Sequence, residues 1–124
     1  MKSLLFSSLS LFALVLTTGL SSPERAYAQS IDDITLNVYK EETCGCCVGW
    51  IAHMDERGFD STVFHPTNIY TVKEELGVLP KWQSCHTAVS KDGYLFEGHV
   101  PAKYISQFLA SPPANALGLA VPGM

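Results

Sequence analysis

From Ile34 the chain alternates apolar and polar positions. Ile34-Thr35-Leu36-Asn37-Val38-Tyr39 carries its apolar residues two apart, the pattern of a half-buried strand. The period then changes. Cys47, Trp50, Ile51 and Met54 fall at i, i+3, i+4 and i+7, which predicts a helix over Val48 to Arg57, closed by Gly58. Phe59 to His65 reads as a second strand ended by Pro66. Tyr70 to Leu76 reads as a short helix ended by Gly77, with Val78-Leu79-Pro80 as an extended connector. Cys85 to Ser90 and Tyr94 to Glu97 read as two strands joined through the turn Asp92-Gly93. Pro101 to Ala110 reads as a last helix, with Pro at its first turn and Pro112-Pro113 beyond its end. The tail from Asn115 to Met124 is apolar but rich in Gly and Pro, and is expected to follow an irregular surface path.

The predicted order is β-α-β-α-β-β-α, an α/β domain with a mixed four-stranded sheet flanked by helices. It looks like the thioredoxin-like fold in a short, glutaredoxin-sized form. In that arrangement the first two strands run parallel through a right-handed crossover, and the last two form an antiparallel hairpin. The strand directions then bring Cys44, Cys46, Cys47, Cys85 and the histidines at 65, 86 and 99 to one sheet edge. Thioredoxin-like oxidoreductases carry a cis-proline before the third strand. Here Ser84-Cys85-His86-Thr87 stands in that place, a thiol and an imidazole with no proline.

The stretch before Ile34 changes the picture of where the domain begins. Lys2, the apolar run Leu4 to Leu16 and the small-x-small signal Ala26-Tyr27-Ala28 read as a secretory signal peptide over residues 1–28, cut after Ala28. The rival, an uncleaved anchor, is disfavoured by the short run broken at Ser7, Ser8 and Ser10. The mature domain, residues 29–124, is expected in the periplasm, starting with a frayed Gln29 to Asp33 and with no stable membrane span. Of eight basic and twelve acidic residues, removal of Lys2, Arg25 and Glu24 leaves six and eleven. That acidic balance, with no basic stripe, argues against nucleic acid as a partner.

Export also places the four cysteines in an oxidising compartment. Two structural disulfides would account for them, but adjacent residues such as Cys46 and Cys47 reach the required geometry only with strain. Cys44-Gly45-Cys46-Cys47 lies on a strand-to-helix turn, where free backbone N–H groups and the helix dipole favour thiolate. Cys44 and Cys47 form a C-x-x-C, which serves disulfide exchange or metal binding equally. Cys46 weighs toward metal, since a third sulfur invites wrong pairing in a dithiol enzyme and strengthens a soft-metal site. Thiolates select Cu(I), Zn and iron–sulfur clusters, and the paired knuckles usual for Zn are missing. His86 beside Cys85 is a further candidate ligand, weighed evenly against a loop-capping role. His99 and His65 read first as ordinary strand-end residues. His53 lies seven residues beyond Cys46, about 10 Å along a helix at ~1.5 Å per residue, and is left out. Met54 reads as core, and Trp50 and Trp82 as walls excluding water.

Cys-Gly-Cys-Cys at 44–47, followed by Trp50, His53, Met54 and Gly58-Phe59, resembles the exported copper-resistance proteins of the CopG type, a family formerly of unknown function. Ser84-Cys85-His86-Thr87-Ala88-Val89, Glu97-Gly98-His99-Val100-Pro101 and Gly118-Leu119-Ala120-Val121-Pro122-Gly123-Met124 carry the same resemblance. It implies a thioredoxin-like, periplasmic, copper-binding domain. It also implies Cys44, Cys46, Cys47 and Cys85 as ligands of a multinuclear Cu(I)–thiolate cluster, and a role in interconverting Cu(I) and Cu(II). Copper is the expected cofactor, and a periplasmic copper donor or acceptor the expected protein partner. No catalytic residue is assigned apart from the metal site. The alternatives are a thiol–disulfide oxidoreductase using Cys44 and Cys47, and a passive copper carrier. Members of the family often continue past Pro-Gly-Met, and no ligand is expected here from such an extension.

Overall fold

The computed structural model describes residues 34–123. The expected signal peptide over residues 1–28, the stretch Gln29 to Asp33 and Met124 lie outside the described residues. In chain order the elements are β1 (Ile34–Lys40), α1 (Gly45–Asp55), β2 (Phe59–Phe64), α2 (Ile69–Glu75), a single 3-10 turn (Pro80–Trp82), β3 (His86–Ser90), β4 (Leu95–Glu97), α3 (Ala102–Ala110) and β5 (Gly118–Ala120). The sheet order is β2-β1-β3-β4-β5. β1 pairs parallel with β2 and antiparallel with β3, and β3 pairs antiparallel with β4. The fold is thioredoxin-like, as the element order predicts.

The alternation along β1 decides what each sheet face buries. Leu36, Val38 and Lys40 are buried, and they pair with Ser90, Ala88 and His86 of β3. On this face Trp50 and Met54 of α1 and Ile105 and Phe108 of α3 close over Leu36, Val38, Ala88 and Phe96. Burying each of these larger apolar side chains contributes ~1.5–3 kcal/mol, so this cluster is the main stabiliser of the domain. The opposite face is polar at its centre. Lys73 of α2 is buried there, donating to the Thr87 hydroxyl at 2.9 Å and to Glu97 Oε1, while the Thr87 hydroxyl donates to Glu97 Oε2.

Three local expectations are corrected. α1 begins at Gly45, so Cys46 and Cys47 lie in its first turn and Cys44 is its N-cap. Gly45 is a poor helix former, and the apolar stripe that marked the helix became visible only further along. Val78-Leu79-Pro80 does not stay extended, because Pro80 opens the 3-10 turn with a φ already suited to it. The sheet has five strands, not four. The tail expected to be irregular supplies β5, parallel to β4 in the register Leu95↔Gly118, Phe96↔Leu119 and Glu97↔Ala120. Three residues are too few to show an alternation. This strand is specified by its neighbour: Leu95 N–H donates to the Leu117 carbonyl and Val121 N–H to the Glu97 carbonyl, both at 2.9 Å.

β5 also depends on the absence of a side chain at Gly118. A Cβ there would stand 1.7 Å from the Leu95 carbonyl oxygen. Gly118→Ala must push β5 away from β4, and is expected to destabilise the domain by ~1–3 kcal/mol, the usual cost of overpacking. A urea midpoint identical to that of the wild type would show that this close approach does not hold the strand.

Candidate metal centre

The site is built at the end of the sheet where β1 leaves and β3 enters. Lys40, the last residue of β1, is buried and donates its ammonium protons to the carbonyls of Glu41 (2.7 Å) and Glu42 (3.2 Å). Cys44 N–H donates to the Glu41 carbonyl at 3.1 Å. These bonds curl the loop tightly and deliver Cys44 to the N-terminus of α1. Cys44 has an extended backbone and makes no side-chain capping bond, so its sulfur is free to point along the turn.

Cys44 and Cys47 form a disulfide with their Cα atoms 5.4 Å apart. Cys46 and Cys85 are free thiols. Cys47 is fully buried, Cys46 is exposed, and Cys44 and Cys85 lie between those extremes. The Cys46 sulfur sits 3.5 Å from that of Cys44. Residues i and i+2 of a regular helix do not face each other. They meet here because Cys44 is the cap rather than a helical residue.

Cys85 arrives from the other side on the loop before β3. Its N-terminal neighbour is held by the buried carboxylate of Glu97, which accepts from Ser84 N–H at 2.7 Å. The Cys85 sulfur lies 3.4 Å from His86 Nδ1 and 3.4 Å from His99 Nε2. Gly98 sets the position of His99. It has φ +74° and its N–H donates to the His86 carbonyl at 3.0 Å. A Cβ at Gly98 would meet the Val121 carbonyl at 2.6 Å and Ser84 Oγ at 2.7 Å, so only glycine lets the chain turn there without displacing the Cys85 loop.

Two overlapping donor groups result. The sulfurs of Cys44, Cys46, Cys47 and Cys85 lie within 4.8 Å of one another, and so do the donors of Cys47, Cys85, His86 and His99. Burial lowers the pKa of His86 to about 3, helped by the neighbouring charges of His99, Lys73 and Lys40. Burial also lowers that of His99. Both imidazoles are therefore neutral near pH 7, the state in which a ring nitrogen binds a metal. His86 Nε2 is buried with no hydrogen-bond partner, while Trp50 packs on the ring with centroids 4.3 Å apart. Burial raises the Cys85 pKa, and Cys46 raises it further through its charge, against a lowering contact from Ser84. A dense set of sulfurs and neutral imidazoles fits a soft or borderline transition metal and suits hard, oxygen-preferring cations poorly.

The sequence-derived residues Cys44, Cys46, Cys47, Cys85 and His86 are all brought together. His99, read from the sequence as an ordinary strand-end residue, joins them, and its signal lay in the Gly98 beside it. His65 reaches the same sheet edge but contacts the Lys40 carbonyl at 3.3 Å and stays outside both groups. His53 stays away as expected; its Nε2 accepts from Ala102 N–H at 3.2 Å and so caps α3. Met54 is core. Trp50 is a wall of the site, with its indole N–H on the Val100 carbonyl at 2.8 Å. Trp82 is not: it is 45% exposed and lines a cavity of about 410 Å³ with Val78, Leu95 and Leu119.

Two solved structures are similar to this chain. Copper resistance protein CopG, form 1, is 41% identical, with 73% of this chain and 70% of that one covered at a TM-score of 0.67. Form 2 is 40% identical, with 74% and 72% covered at a TM-score of 0.69. The family described as "Protein of unknown function, DUF411" matches residues 82–124, the part that contains Cys85, His86 and His99. No curated protein matches the sequence significantly.

The raised Cys85 pKa has a measurable consequence. At neutral pH less of this thiol is ionised than of an ordinary one, so its alkylation by iodoacetamide should be slow. The rate should reach half its plateau at a higher pH than that of an unburied cysteine thiol. Peptide mapping of label on Cys85 across a pH series gives the curve, and a midpoint at or below that of a cysteine in an unstructured peptide would contradict the burial seen here.

Proposed function

Because the chain belongs to the family of copper resistance protein CopG, we propose that it is a periplasmic copper-binding protein that protects against copper stress. The observation that carries this reading is the convergence of four cysteine sulfurs from two segments, within 4.8 Å, beside two neutral imidazoles. Reduced, Cys44, Cys46, Cys47 and Cys85 offer four thiolates that can bridge more than one Cu(I), with His86 at the buried side. Soft sulfur donors favour Cu(I) over Zn when both compete. The leader over residues 1–28 fits export, with cleavage after Ala28, and a periplasmic donor or acceptor would exchange copper at exposed Cys46.

The Cys44–Cys47 pair supplies electrons for interconverting copper states. Two Cu(II) ions each take one electron, the two thiols lose two electrons and two protons, and the Cys44–Cys47 bond forms. The reverse step oxidises two Cu(I). Trp50 and the α1 face keep water from Cys47 and His86, while Cys46 remains open to the incoming ion. The disulfide itself favours a second reading, a thiol–disulfide oxidoreductase. Its half-exposed Cys44 at a helix N-terminus and buried Cys47 suit attack by an external thiol.

Cys85 separates the two. On the copper reading, fully reduced wild type binds more than one Cu(I) per chain by elemental analysis after anaerobic loading. Cys85→Ser should bind fewer, with affinity lowered at least ~10-fold, the scale of losing a metal-site contact. Circular dichroism should show both folded. Unchanged copper binding in a folded Cys85→Ser variant would remove Cys85 from the site, and a wild type that binds no copper but shows dithiol reductase activity would favour the oxidoreductase. Export is checked by intact mass: the periplasmic protein should begin at Gln29, and retention of Met1 in the membrane fraction would sink that assignment.

A further inference from the structure

The third cysteine of the turn stands against a sulfur that is already oxidised. The Cys46 thiol lies 3.5 Å from Cys44 Sγ, and Cys44 Sγ is bonded to Cys47. Thiol–disulfide exchange needs a thiolate close to one sulfur of a disulfide, and needs no external electrons. Cys46 is exposed, so its proton can pass to solvent. Gly45 between the two cysteines has nothing within 4 Å of the position a Cβ would take, so the two-residue step can readjust without meeting neighbours.

The sulfur that would leave is the one best placed to bind something. Cys47 is fully buried and belongs to the second donor group with Cys85, His86 and His99. In that group His86 presents Nδ1 at 3.4 Å from Cys85 Sγ, and its other ring nitrogen, Nε2, is buried with no hydrogen-bond partner. We propose that the oxidised protein has a metal site of its own, made of Cys47, Cys85, His86 and His99, which opens when Cys46 takes over the disulfide with Cys44. The Cys46 thiolate attacks Cys44 Sγ, the Cys44–Cys47 bond breaks, a Cys44–Cys46 bond forms, and Cys47 departs as a thiolate. One disulfide and no net electron change accompany the step.

Without a cation the exchange is uphill, because it replaces an exposed thiol with a buried thiolate. A divalent ion supplies the missing charge, so binding and exchange drive each other. The ligand class is a borderline ion that accepts two sulfurs and two imidazole nitrogens in a tetrahedron, such as Zn(II) or copper. With bonds of ~2.2 Å the tetrahedral donor-to-donor edge is ~3.6 Å. The four donors already lie within 4.8 Å, which leaves a small inward movement. The four-thiolate site of the reduced protein, by contrast, cannot form until two electrons have been supplied. This inference rests on the metal-binding reading of the site, and its test uses a different ion.

The probe is Zn(II) alone, which neither gives nor takes electrons, added to oxidised protein without reductant. Expected are one Zn(II) per chain and a moved free thiol. After acid quench, chelation and N-ethylmaleimide labelling at mildly acidic pH, tandem mass spectrometry should place the label on Cys46 without Zn(II) and on Cys47 with it. Cys46→Ser, which cannot exchange, should lose oxidised-state Zn(II) binding by at least tenfold. The inference is overturned if oxidised wild type binds no Zn(II). It is equally overturned if the label stays on Cys46 in the loaded protein, or if oxidised Cys46→Ser binds Zn(II) as well as wild type does. The label position in wild type decides the matter even if the variant folds poorly. Failure of the copper reading would instead show as absent Cu(I) binding by the fully reduced chain.

Discussion

The carboxylate of Glu97 is the fixed point of this molecule. It is buried, and a buried charge is tolerated only where its lone pairs are met. Lys73 from α2, the Thr87 hydroxyl from β3 and the Ser84 backbone N–H all bond to it. One side chain on the short strand β4 therefore ties a helix, a strand and the loop before Cys85 to one place. The next two residues are Gly98, whose N–H holds the His86 carbonyl, and His99. The apolar cluster on the other sheet face supplies most of the stabilisation, but it is non-directional. The polar node settles where the Cys85 loop lies relative to α1.

The element order was legible because its signals are local. The alternation of Ile34 to Tyr39, the stripe from Cys47 to Met54 and the turn at Asp92-Gly93 each declare themselves within a few residues. Strand direction then follows from connectivity, and with it the meeting of the Cys44–Cys47 turn with Cys85 and His86. What escaped depends on distant partners. β5 has no pattern of its own and exists because β4 offers unpaired backbone. Lys73 and Glu97 lie in a short helix and a short strand, and nothing near them in sequence marks them as a buried pair. His99 could be placed at the edge by topology, but its inclusion beside Cys85 depends on the turn at Gly98 and on Ser84. Trp82 was assigned by residue type alone, and the 3-10 turn carries it to the opposite face.

Oxidation state runs through the site as strongly as geometry. With Cys44 bonded to Cys47, the four-sulfur group has two of its donors occupied, while the mixed sulfur–nitrogen group has one. Cys47 is shared by both groups and is the most deeply buried cysteine. Its bonding partner therefore decides which donor set is complete. In the compartment to which the leader is proposed to direct the chain, disulfides persist, so the balance between these sets is a property of the protein in its working environment.

Trp50 gives the molecule an internal optical gauge. Its indole packs against His86 at a tilt of 45° with the ring centroids 4.3 Å apart, and its N–H is anchored on Val100, the residue after His99. The emission of a buried indole follows the polarity and quenching groups within a few ångströms of it. The chain's other tryptophan, Trp82, is half in solvent beside the cavity on the far face of the sheet. One fluorophore thus senses what happens at the imidazole and the other stands as its reference, so events at the metal centre can be followed in the unlabelled protein by the ratio of blue-shifted to red-shifted light.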